Sequence, residues 1–155
     1  MRYNGAVRVL LPLAAALAAA AVAGCGSDGD VGLEWAGPPD AGAGGHVSTD
    51  GFAAYQGEVD EDWERSPALA AGVFLRLDER TAVHTTIDAV AGPEGMGSQS
   101  VVVTLDGIPD DSVRAERWTL RFTQEGDVYA LNAALREVRC RAGRGDEDFS
   151  TGLCA

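Results

Sequence analysis

Cys25, Cys140 and Cys154 carry the most nucleophilic side chains in this chain, and their spacing limits what they can do. A structural zinc site takes four ligands at short, regular spacings; His46 and His84 stand isolated, and no second cysteine pair accompanies the first. A thioredoxin-like redox centre needs Cys-x-x-Cys, which is absent. That leaves one pair and one single thiol. Cys140 and Cys154 enclose "RAGRGDEDFSTGL" and are expected to form a disulfide if the chain reaches an oxidising compartment. Closing a loop of about 15 residues stabilises by about 3 kcal/mol on the chain-entropy account.

Other reactive groups give weaker signals. Asp106, Asp110 and Asp111 flank the "GIPDD" turn, where carboxylates could gather calcium, but the EF-hand spacing is missing. Asp and Gly in a turn are the simpler reading. Arg144 lies between Gly143 and Gly145, placed either to hydrogen-bond loop carbonyls or to meet an anionic ligand. No G-x-S-x-G elbow and no phosphate loop occur. Twenty-four acidic residues make chance carboxylate pairs inevitable, so their number is no sign of a glycosidase. No catalytic residue, metal site or cofactor is assigned.

The N-terminus decides what Cys25 is for. Arg2 and Arg8 open a short basic region, and an Ala-rich apolar run follows from Val9 to Ala23. The run is short for a membrane span and reads as a signal peptide over residues 1–24. Val22-Ala23-Gly24-Cys25 resembles the bacterial lipobox, in which the cysteine receives a diacylglyceryl group and the leader is cut before it. The resemblance implies anchoring of Cys25 in the bilayer on the extracytoplasmic face of the cell membrane. Two acyl chains hold where one is marginal. Without residues 1–24, ten arginines and no lysine face all twenty-four acids. Such a body is unsuited to nucleic acid or to lying flat on anionic lipid.

Residues 25–47 are rich in Gly, Asp and Pro and are expected to be a flexible acidic linker, with Trp35 free to dock on the domain or at the membrane interface. A domain is expected over 48–155. Phe52, Tyr55, Val59 and Trp63 recur at helical spacing, which predicts one helix ending near Pro67. "AGVFLRLDE" suits either a short strand or a helix. "TAVHTTIDAV" alternates with Val83, Thr85, Ile87 and Ala89 on one face and His84 on the other; "VVVTLD" and "ERWTLRF" place Val101, Val103, Leu105, Trp118, Leu120 and Phe122 inward. "VYALNAALREVRC" fits helix or strand, and the tight turn at Gly126 favours a strand. The expected fold is α+β: a small antiparallel sheet of three to five strands with one N-terminal helix packed on it.

Asp110-Asp111-Ser112-Val113-Arg114, followed by Cys140, Gly143-Arg144-Gly145, Phe149, Ser150 and Cys154, resembles small actinobacterial-type envelope lipoproteins with a C-terminal Cys-x-x-Gly-Arg-Gly…Cys motif. The group usually has Pro where Ala142 stands and His where Asp146 stands, so any chemistry of that His is lost here. The resemblance implies no activity. The functional expectation is a non-catalytic, tethered binding or accessory module meeting an envelope protein or a small ligand; a hydrolytic envelope enzyme is the alternative.

Overall fold

A computed structural model of the chain describes residues 33–92 and 97–155. The leader and Cys25 lie outside them. Five antiparallel strands form one sheet in the order β1-β5-β4-β3-β2, with β1 His46–Val47, β2 His84–Ala91, β3 Ser98–Asp106, β4 Val113–Glu125 and β5 Val128–Cys140. Two helices, α1 Asp50–Gln56 and α2 Pro67–Leu75, pack on the sheet. The α+β architecture therefore holds, with the "VYALNAALREVRC" segment as a strand and "AGVFL" as helix.

Strand alternation builds the core. Val101, Val103 and Leu105 of β3 and Trp118, Leu120 and Phe122 of β4 are buried, and Phe52, Phe74 and Leu75 close over most of them from the helices. Burying such side chains supplies about 1.5–3 kcal/mol each. In β5 the alternation breaks at a bulge: Arg121 faces Ala133, but Phe122 faces Leu131, so Asn132 is the extra residue.

Three expectations are corrected. The single helix of 48–66 is instead α1, a turn, and a 3-10 segment at Asp62–Arg65. Gly57 and the acidic run after it stop α1, and Pro67 begins α2 rather than ending its predecessor. Proline fits the first helical position because no N–H is needed there, and the Ser66 hydroxyl accepts from the Leu69 N–H. Second, the ordered body begins before Ser48. Trp35 Nε1 donates to the Phe74 carbonyl at 2.8 Å, and Val47 is buried in β1. A low-complexity segment can thus be pinned by one aromatic residue and two strand residues. Third, every residue of β2 is exposed, including Thr85, Ile87 and Ala89: α2 approaches this strand without burying it.

Candidate functional site

A groove of about 490 Å³ lies on the helical side of the molecule. Its aromatic lining comes from three separate segments. Trp35 arrives from the N-terminal arm, Tyr55 from α1, and Trp63 from the 3-10 turn; Val73 and Leu77 complete it beside the end of α2. Tyr55 and Trp63 stack with centroids 6.0 Å apart and planes within 5°. Phe52 sits behind them, 5.8 Å from Trp63 and 5.2 Å edge-on to Trp35. The fully buried Phe52 and Phe74 thus back the half-buried rings that face the groove, fixing their rotamers. Glu34, Arg76 and Asp78 form a charged rim, and Arg76 Nη2 donates to Glu34 at 3.0 Å. Leu69 stands at the margin, 58% exposed. The volume falls within the range of small-ligand pockets, and the recess is an open groove rather than an enclosed cavity.

The carboxyl groups whose pKa values are displaced lie elsewhere. Glu116 is only 8% exposed, yet stays ionised. Burial pushes its pKa up; the Arg136 hydrogen bond and charge, the Trp118 indole and Arg80 together outweigh this and hold it below the usual range. The contacts are Arg136 Nη2 at 2.5 Å, Arg80 Nη1 at 2.8 Å and Trp118 Nε1 at 2.9 Å. Both guanidinium groups also lie over the Trp118 ring, at 5.4 and 5.8 Å. A carboxylate this fully satisfied by donors is a structural anchor between β4, β5 and the segment after α2. Sequence reasoning passed over it, although Glu116 shares the inward parity of Trp118, Leu120 and Phe122.

The residues singled out at the C-terminal end separate into two groups. Asp110 Oδ1 accepts from the N–H groups of Ser112 and Val113, at 2.8 and 2.7 Å, and from the Ser112 hydroxyl at 3.1 Å. These bonds, Val113 first, lower its pKa and make it a turn former. Asp111 is exposed beside it. Cys140 and Cys154 are bonded, their Cα atoms 5.4 Å apart. Arg141, not Arg144, joins the disulfide loop to the turn, donating to the carbonyls of Asp110 and Ile108 at 2.7 and 3.0 Å. Arg144 is exposed and donates to the Ala155 carbonyl at 3.4 Å. Phe149, unremarked as a packing residue, lies between Arg117 and Arg139, 4.4 Å from each guanidinium. Neither His46 nor His84 joins the groove. Among the described residues no group of three or more His, Cys, Asp or Glu could hold a metal ion, and no helix is long and apolar enough to cross a membrane.

No protein-family model, curated protein or solved structure matches the chain.

Proposed function

We propose that the chain is an envelope lipoprotein, tethered through a diacylglyceryl group on Cys25, whose domain binds a ligand rather than transforming one. The observation that carries this reading is the aromatic groove. Its rings are held by buried neighbours, so little ordering cost is due on binding. Its surface suits an apolar or flat-ringed group, with Arg76, Glu34 and Asp78 available to orient a polar end. The displaced carboxyls, Asp110 and Glu116, lie outside the groove and are consumed by turn and ion-pair bonding, which favours binding over hydrolysis. The lipobox-like "VAGC" and the likeness to envelope lipoproteins support the tethered setting.

A photo-crosslinking side chain at Leu69, at the groove margin, tests the site in cells. It should give adducts that Trp63→Ala abolishes, while the same probe at Thr119, on the opposite face of the sheet, gives none. Equal labelling at both positions would overturn the groove as the binding site. For the tether, Cys25→Ser should abolish lipid labelling and leave an uncut precursor or a body released from membranes; unchanged retention with an intact leader would instead indicate a spanning anchor.

A further inference from the structure

β2 carries an exposed edge whose backbone geometry can be read residue by residue. Gly92 N–H donates to the Ser98 carbonyl at 2.8 Å, which marks a bonded pair in the register that runs unbroken from His84/Asp106 to Ala91/Gln99. Bonded and non-bonded pairs alternate in antiparallel ladders. His84, Thr86, Asp88 and Val90 therefore direct their backbone groups at β3. Thr85, Ile87, Ala89 and Ala91 direct theirs outward. Gln124 N–H donating to the Gly97 carbonyl fixes the complementary parity on the other side of β3. Among the described residues nothing pairs with the outer edge of β2. Natural edges are usually guarded by Pro, charged side chains, a bulge or a cover; "HTTIDAVA" has a single charge, Asp88, and none of the others. Val83, Ile87 and Val90 are 71, 44 and 58% exposed on or beside it.

We propose that a second copy of this chain closes this edge, β2 against β2 and antiparallel about a two-fold axis at Thr86, giving one continuous ten-stranded sheet. The register follows from parity and charge. Outward residues must meet outward residues, so Thr85 pairs with Ile87 of the second copy; Val83 takes no part, because its N–H already donates to the Asp106 carbonyl at 2.9 Å. This places His84 opposite Asp88 of the second copy, twice by symmetry, in non-bonded pairs where side chains come closest. A two-fold at Ile87 sets Asp88 against Thr86, and one at Asp88 brings two carboxylates together. Only the Thr86 register matches an imidazole to each carboxylate. Odd-numbered residues of both copies then share the helical face, extending the apolar stripe of Val83, Ile87 and Ala89 across the junction. The helical layers leave room for the junction, because α2 approaches β2 without burying any of its residues.

The test uses the full chain carrying Cys25→Ser in detergent, so that an added thiol has no free competitor. Thr86→Cys should form a disulfide-linked dimer on mild oxidation, since facing Cβ atoms of a non-bonded pair lie about 4.5–5.5 Å apart. Thr119→Cys, on the open face of β4, should stay monomeric. In sedimentation experiments His84→Asp should weaken dimerisation about tenfold, by setting like charges opposite. His84→Asp with Asp88→His should restore it. Ile87→Pro removes an outward N–H without touching the β3 ladder and should yield monomers. Cross-linking at residue 86 no faster than at 119 overturns the proposal. So does a dimer indifferent to Ile87→Pro, or a charge swap that fails to recover what His84→Asp loses.

Discussion

Along the outer edge of β5, backbone groups from Tyr129 to Cys140 find partners of several different kinds. Gln56 reaches from α1 to accept from the Leu131 N–H and donate to the Tyr129 carbonyl, at 3.2 and 3.1 Å. β1 pairs with Ala134 and Leu135. Ser150 exchanges both backbone bonds with Val138, at 2.8 and 2.9 Å, and the Asp146 carbonyl accepts from the Cys140 N–H. Along β2, at the opposite end of the same sheet, none of these devices is present among the described residues. The two edges show where the chain places its irregular segments. The N-terminal arm, the bulge and the disulfide loop all converge on one edge. Their job is to make β5 unavailable, and they leave β2 as the one long edge able to extend.

Removing the covalent part of that closure should have the largest effect. Cys140→Ser with Cys154→Ser should cost about 3 kcal/mol by denaturant unfolding, with amide protection falling at Val138 and Cys140 while β2 is unchanged. Loss of protection in β2 as well would mean that the edges are not independent.

Gly45→Ala is a second way in. Gly45 has φ +74°, and a Cβ there would lie 2.7 Å from Thr151 and nearer still to the Arg136 carbonyl. Only glycine lets β1 and the residue after Ser150 lie side by side against β5. The substitution should cost about 2 kcal/mol and release β1, measured as faster exchange in residues 46–47.

Gln56→Ala is milder. It strips the partners from the bulge at Asn132 without moving any strand, and a lost hydrogen bond of this kind is worth about 1 kcal/mol. Thermal unfolding should show the drop.

Acid should act least at first, and on one side of the comparison only. Asp110 and Glu116 have pKa values below those of the unfolded chain, so their stabilising contribution is complete above about pH 4.3 and fades as pH falls through the folded values. The turn at Asp110 holds Arg141, so exchange at Ser112 and Val113 and around the disulfide loop should quicken first in an acid titration. Loosening that begins in β2 would contradict the assignment.

Much of this asymmetry was legible in the residues, and the part that was not has a physical reason. The strands announced themselves because Trp118, Leu120 and Phe122 alternate strictly with polar neighbours and Val101, Val103 and Leu105 recur at every second position, and among the described residues the helices cover one face of the sheet. Cys140 and Cys154 could be paired on compartment and elimination alone. β2 misled because Thr85, Ile87 and Ala89 alternate like a buried face, and periodicity does not tell whether a helix extends far enough to cover it. Trp35 was ambiguous because its role depends on a single carbonyl, that of Phe74, supplied 39 residues later. Tyr55 and Trp63 were expected to share one helical face and do meet, but across a break in the helix. The groove therefore follows from tertiary packing of three segments rather than from one amphipathic stripe. Glu116 was hidden because a buried acid gains its place only from Arg80 and Arg136, which local pattern cannot connect.

The disulfide loop also changes what a protease can do. Arg141 and Arg144 are exposed, and both lie between Cys140 and Cys154. An arginine-directed enzyme meeting this surface would cut a ring, and the severed end would stay bonded through Cys154. Ser150 would remain paired with Val138, and Phe149 would stay between its two guanidinium groups. A single cleavage there adds one water to the mass and releases nothing until a reductant arrives, and cutting after both arginines frees only residues 142–144, so this corner of the protein can be nicked without losing its C-terminal segment.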